Sequence, residues 1–66
     1  MHLEINGHPT QIPDSCHDVE RLLAHLRLGY PVLVELNGLA LFPREFASSR
    51  LQDGDKLELM RMVAGG

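Results

Sequence analysis

Two Asn-Gly pairs, each between short runs of alternating apolar and polar residues, constrain the fold of this chain most. Asn6-Gly7 lies between LEI and HPTQI, and Asn37-Gly38 lies between VLVEL and LALF. Asn-Gly is a strong hairpin signal, because a type I′ turn needs a positive φ at both of its central positions. The sequence therefore predicts two antiparallel β-hairpins.

A two-residue loop also fixes the register of the first hairpin. The predicted cross-strand pairs are Ile5–His8, Leu3–Thr10 and Met1–Ile12. Pro9 has no backbone N–H to donate to a neighbouring strand, so the second strand is expected at an edge of the sheet.

The segment between the hairpins predicts one amphipathic helix. Its apolar residues recur at helical spacing, which predicts a single buried stripe: Val19, Leu22, Leu23 and Leu26. Asp18 is the predicted N-cap, with Ser15 as the alternative start. Gly29 is predicted to follow the end of the helix, and Pro31 prevents its continuation.

The order of the elements indicates the fold class. PREF predicts a short helical turn, DGD a turn, and KLELMRMV the last strand. The apolar stripe of the helix must cover one face of the sheet. We therefore expect an α+β chain with the β-grasp (ubiquitin-like) architecture. It would have a mixed sheet of four to five strands, the last beside the first in the middle, and one main helix packed on one face. The order of elements also permits other α+β topologies.

Length and charge limit the function classes. Sixty-six residues make one domain, predicted as residues 1–62 followed by a flexible tail of residues 63–66. A net charge of −3 and three aromatic residues argue against a nucleic-acid interface. The apolar runs are too short to span a bilayer, and the N-terminus lacks the pattern of a secretory signal. A single cysteine fits a reducing cytoplasm.

The last predicted strand has an unusual composition on one side. Leu57 and Leu59 are expected to face the core, which leaves Met60 and Met62 on the opposite side, together with Leu33 of the neighbouring strand. Exposed apolar residues of this kind are typical of a surface that docks partner proteins. The alternative is a register shifted by one residue, which would place the methionines in the core.

Other reactive residue types give weaker signals. Cys16 could be a nucleophile near a helix start, but a lone cysteine there is more often structural. Four histidines lack the spacing of metal ligands, so no metal site is expected: His2, His8, His17 and His25. Asp53 and Asp55 flank a glycine and are interpreted as turn formers.

Several segments in this order resemble the bacterial sulfur-carrier proteins, in particular the ThiS family. They are ELNGLALFPREF, LQDGD, KLELM and the terminal VAGG, and the resemblance extends over nearly the whole chain. Phe46 stands where that family often has tryptophan. The related MoaD-like carriers tend to be longer and to have proline before the tail, where this chain has Val63-Ala64. The resemblance thus favours a carrier of the thiamine pathway.

The resemblance implies a function for the C-terminal glycines. Gly66 would be adenylated by an E1-like adenylyltransferase of the ThiF type, which uses ATP. A persulfide donor would then convert Gly66 to a thiocarboxylate that gives its sulfur to a ThiG-type thiazole synthase. Gly65 would give the tail access to narrow active sites, and Val63 and Ala64 would join the partner contact.

The chain would then be a protein co-substrate, not an enzyme, with no bound cofactor. Alternatives are a MoaD-like carrier of the molybdopterin pathway, a ubiquitin-like protein modifier, and an interaction module whose glycines are merely a frayed end.

Overall fold

The computed structural model describes residues 1–63 of the 66-residue chain. Its elements follow the predicted order: β1 (His2–Ile5), β2 (His8–Gln11), α1 (Val19–Leu26), β3 (Val32–Leu36), β4 (Leu39–Leu41), a 3-10 helix (Pro43–Ser48) and β5 (Lys56–Arg61).

The five strands form one mixed sheet in the order β2-β1-β5-β3-β4. β5 is parallel to β1 and antiparallel to β3, and the two hairpins are antiparallel. This is the predicted β-grasp arrangement, with the last strand beside the first in the middle of the sheet. β2, which contains Pro9, lies at an edge as predicted.

Both Asn-Gly turns have the predicted backbone conformation. Asn6 and Gly7 have φ values of 50° and 80°, and Asn37 and Gly38 have φ values of 51° and 84°. The first hairpin has the predicted register, with Ile5 opposite His8 and Leu3 opposite Thr10. The third predicted pair is joined by a 2.9 Å hydrogen bond from the Ile12 N–H to the Met1 carbonyl.

The helix begins as predicted and ends earlier than predicted. Asp18 is the N-cap, and its Oδ1 accepts a 2.8 Å hydrogen bond from the Arg21 N–H. At the other end Arg27, not Gly29, is the left-handed residue that caps the helix, and its N–H donates to the Leu23 carbonyl. The buried stripe ends at Leu26, so the chain turns toward β3 immediately after it. Gly29, with a φ of 79°, belongs to that turn and not to the helix end.

The core lies between α1 and one face of the sheet, which we call the inner face. Its buried residues come from the strands, the helix and two loops: Leu3, Ile12, Cys16, Val19, Leu22, Val34, Leu51 and Leu57. The opposite face of the sheet, the outer face, is not covered by any element of residues 1–63.

The last strand is shorter than predicted. β5 ends at Arg61, so Met62 and Val63 lie beyond it. Its inward residue Leu57 is buried and Leu59 is half-buried, which is the predicted orientation. No helix within residues 1–63 has both the length and the apolar character needed to cross a membrane.

Candidate functional site

The asparagine of the first hairpin turn also holds the last strand in place. The Asn6 side chain accepts a 2.7 Å hydrogen bond from the Leu59 N–H and donates a 3.2 Å bond to the Leu59 carbonyl. It thereby satisfies both backbone groups of one residue of β5. The sequence identified Asn6 as a turn residue and missed this second role, because its partner lies 53 positions away.

The asparagine of the second hairpin turn holds the start of the same strand. Its Oδ1 accepts a 2.9 Å hydrogen bond from the Lys56 N–H, and its Nδ2 donates a 3.0 Å bond to Asp55. Asp55 also accepts from the Gln52 N–H at 2.8 Å, which closes the DGD turn. The two predicted hairpin turns therefore fix the position of β5 from both sides.

The outer face has an exposed apolar pair at the end of β5 that leads to the C-terminus. Leu33 and Met60 are cross-strand partners of β3 and β5, with exposed fractions of 51% and 44%. Their orientation is the one predicted, so the alternative with the methionines in the core is wrong for Met60. We call Leu33 and Met60 the apolar pair.

An acidic pair lies next to the apolar pair on the same face. Glu35 and Glu58 are also cross-strand partners of β3 and β5, two residues from Leu33 and Met60 along their strands. Side chains two residues apart in a strand share a face. The uncovered face therefore presents a row of two carboxylates beside a row of two apolar side chains.

The chain leaves the sheet through a small anchored segment. The Met62 N–H donates a 3.0 Å hydrogen bond to the Pro31 carbonyl, and the Arg61 guanidinium lies 4.5 Å from the centroid of the Tyr30 ring. Val63, the next residue, is 84% exposed. Tyr30 and Pro31 were not predicted as site residues, since their role depends on their position beside the end of β5.

Met62 differs from its predicted position on the outer face. It is 47% exposed, as expected. However, β5 ends before it, so the alternation of the strand does not extend to Met62. It instead lines an open, mainly apolar groove of about 390 Å³, together with Leu28, Tyr30 and Phe46, at the C-terminal end of α1.

The predicted reactive end of the chain lies outside the described residues. Ala64, Gly65 and Gly66 belong to it, so the roles predicted for them stay predictions. Of the predicted docking residues, the structure brings Leu33 and Met60 together, places Met62 at the groove, and leaves Val63 exposed after it.

The surroundings of the other candidate residues indicate that these residues have structural roles. Cys16 is buried in the core, away from the outer face. Asp18 is buried, and the hydrogen bond from the Arg21 backbone N–H lowers the pKa of its carboxyl, an effect that the Arg21 guanidinium adds to. Within residues 1–63, no three His, Cys, Asp or Glu side chains group as metal ligands would.

Comparison with known proteins identifies relatives over the full length of the chain. The sequence model of the ThiS family matches residues 3–66. A crystal structure of the thiamine biosynthesis protein ThiS from Geobacter metallireducens is 34% identical, with a TM-score of 0.81 over 100% of both chains. A solution NMR structure of a thiamine biosynthesis protein from the same organism is 33% identical, with a TM-score of 0.78 over 100% of this chain and 88% of the other. No curated protein sequence gives a significant match.

Proposed function

The chain belongs to the ThiS family, and from this premise we propose that it is a protein co-substrate that carries sulfur on Gly66 for thiamine biosynthesis. The observation that carries the proposal is the full-length likeness to a thiamine biosynthesis protein, in sequence and in fold. The family match also extends through the two terminal glycines.

The proposed chemistry converts a poor electrophile into a sulfur donor. A Gly66 carboxylate oxygen attacks the α-phosphorus of ATP on an E1-like adenylating enzyme and releases pyrophosphate. The terminal sulfur of a donor persulfide then attacks the acyl carbon and expels AMP. A thiol reduces the resulting acyl disulfide and leaves the thiocarboxylate, which passes its sulfur to a thiazole synthase.

The residues that precede the C-terminal glycines are held in place, which suits a tail that enters the active site of a partner protein. β5 is held by the side chains of Asn6 and Asn37, and Met62 is anchored to the Pro31 carbonyl. Four residues follow Met62, so the Cα of Gly66 can reach at most about 14 Å from the anchor. Gly65 and Gly66 lack side chains and therefore suit a narrow active-site channel.

The uncovered outer face suits the docking of successive partners. The apolar pair is exposed on the strand that leads to the tail. Burying an exposed Leu or Met side chain contributes about 1.5–3 kcal/mol when burial is complete. A partner that covers this face therefore gains affinity at a surface next to the reacting end.

The test is conversion of Gly66 with purified components. The chain is incubated with the adenylating enzyme of the same organism, ATP, cysteine and a cysteine desulfurase, and its intact mass is measured. We expect one oxygen to be replaced by sulfur. Gly66→Val, which leaves the described domain untouched, is the control and should stay unchanged.

The acceptor is tested separately. The sulfur-loaded chain should support thiazole formation by the thiazole synthase of the same organism. An unchanged mass, with an adenylating enzyme shown to be active on another carrier, would exclude the carrier function. Sulfur loading without thiazole formation would exclude the thiamine pathway as its destination.

A further inference from the structure

We propose that four residues at the end of the sheet set the direction of the C-terminal tail before any partner binds it. Tyr30 and Pro31 of the loop before β3 hold Arg61 and Met62, and we call these four residues the exit clamp. The inference rests on the proposed function and adds positioning residues to it. Tyr30 and Arg61 direct Gly66 toward the active sites that receive it, without contact with the reacting atoms.

Two different contacts hold the exit clamp together. The Met62 N–H donates a 3.0 Å hydrogen bond to the Pro31 carbonyl, one residue beyond the pairing of Arg61 with Val32. The Arg61 guanidinium lies 4.5 Å from the centroid of the Tyr30 ring. Consecutive residues of one loop therefore hold both the backbone and a side chain where the chain leaves β5.

The hydrogen-bonded backbone ends at the exit clamp. Within residues 1–63, Met62 is the last residue whose backbone forms a hydrogen bond, and Val63 after it is 84% exposed. Only four residues follow Met62. The direction in which the chain leaves Met62 therefore limits the region that Gly66 can reach.

The loop that forms the other half of the exit clamp is itself constrained. Gly29 has a φ of 79°, a conformation that suits glycine and turns the chain between α1 and β3. The ring of Pro31 restricts its own φ and disfavours a helical conformation for Tyr30. Tyr30 is 39% exposed and lines the apolar groove together with Met62. This loop thus presents the Tyr30 ring and the Pro31 carbonyl in defined positions.

A positioned exit lowers the entropic cost of placing the tail in an active site. Fixing the backbone of each residue costs conformational entropy, and the exit clamp has already fixed Arg61 and Met62 in the free chain. A partner that receives Gly66 need not order these two residues. This advantage is a property of the carrier, so it should apply to the adenylating enzyme and to the thiazole synthase alike.

The experiment measures KM for the chain with both enzymes of the same organism. Pyrophosphate release reports adenylation, and thiazole formation reports sulfur delivery by the sulfur-loaded chain. Tyr30→Leu and Arg61→Gln each remove the contact between the cation and the ring, whereas Tyr30→Phe retains it. Phe42→Leu is the matched control for the exchange measurement, since it removes a ring that lies 4.8 Å from the Arg44 guanidinium on the segment after β4.

We expect Tyr30→Leu to raise KM with both enzymes by about two- to fivefold, the factor that corresponds to an exposed contact between a cation and a ring. Its kcat should stay unchanged, because Gly66 is untouched, and Tyr30→Phe should restore KM. A contribution to stability alone would leave KM unchanged while the chain stays folded. A rise in KM with only one enzyme would indicate direct contact with that enzyme and overturn the inference.

The double variant distinguishes positioning from direct contact in a second way. Tyr30→Leu and Arg61→Gln remove the same contact, so together they should raise KM no more than the larger single effect. If each side chain touched an enzyme independently, the two increases in KM would multiply. Multiplied effects would therefore overturn the inference.

Hydrogen exchange of the Met62 amide reports the state of the exit clamp without any enzyme. Tyr30→Leu should accelerate this exchange, and Phe42→Leu should not. Unchanged exchange in Tyr30→Leu, or faster exchange with an unchanged KM, would overturn the inference and leave the carrier function standing. Failure of an adenylating enzyme that is active on another carrier to adenylate the unsubstituted chain would overturn both.

Discussion

The two faces of the sheet differ in what they contribute to the molecule. The inner face is covered by α1 and contains the buried core, including Leu57 of β5. The outer face of the same strand exposes Met60 beside Leu33, and Glu58 opposite Glu35. Neighbouring residues of one strand therefore face different surroundings, and we propose that the inner side provides stability and the outer side provides recognition.

The largest difference in stability between the two faces is expected from a substitution at Leu57. Leu57→Ala removes a fully buried side chain and should lower the free energy of unfolding by about 2–5 kcal/mol. Urea denaturation followed by circular dichroism measures it. Lys56→Ala, at the neighbouring exposed position, is the control and should change stability by less than about 0.5 kcal/mol. Equal losses at the two positions would contradict the assignment of the faces.

A smaller effect is expected at the turn that holds β5. Asn6→Gly keeps a residue that tolerates a positive φ and removes two hydrogen bonds to Leu59, so it should cost about 1–2 kcal/mol. The Leu59 amide should then exchange its hydrogen faster. Asn6→Asp retains the acceptor for the Leu59 N–H and is the comparison variant. Unchanged protection of that amide in Asn6→Gly would show that the side chain does not hold the strand.

The stability of the helix-covered side is also expected to fall in acid, through the N-cap residue Asp18. The Arg21 backbone N–H lowers the pKa of the Asp18 carboxyl below its ordinary value of 3.8. Its contribution is therefore present above pH 3.8 and is lost as the pH falls through the lowered pKa. Asp18→Asn retains an N-cap acceptor and should reduce the loss of stability in acid, as measured by the urea midpoint against pH. An acid dependence identical to that of the unsubstituted chain would refute this role.

The smallest effect on stability is expected on the outer face. Met60→Ser should change the free energy of unfolding by no more than about 0.5 kcal/mol, because Met60 is exposed on the outer face and lies outside the buried core. It should nevertheless raise KM for adenylation, since it would remove the apolar contact that we propose between Met60 and the enzyme. A Met60→Ser variant that is destabilised but adenylated normally would contradict the proposal that the inner face provides stability and the outer face provides recognition.

The sequence predicted most of the fold because the decisive signals are local. Each Asn-Gly pair specifies its own turn, and the helix stripe specifies its own buried side. The positive φ of Arg27 was missed, because the end of α1 is determined by where the chain must turn toward β3. The glycine signal at Gly29 indicated a turn correctly and placed the helix end two residues too late.

The candidate site was predicted in part, for a similar reason. Alternation along β5 identified Met60, and it failed at Met62 because the strand ends first. The contacts of Asn6 with Leu59 and of Arg61 with Tyr30 join residues that are far apart in sequence. Such contacts follow from the sheet order, so they could be recognised only after the strands were arranged.

The central position of β5 has a consequence for synthesis of the protein. Among the described residues, the two hairpins share no strand pairing and are joined into one sheet through β5 alone. A nascent chain emerging from the ribosome therefore cannot join the two hairpins into one sheet until β5 (Lys56–Arg61) has been synthesised. The strand that completes the sheet is thus also the one that immediately precedes the proposed carrier tail, which links completion of the fold to synthesis of the proposed reacting end.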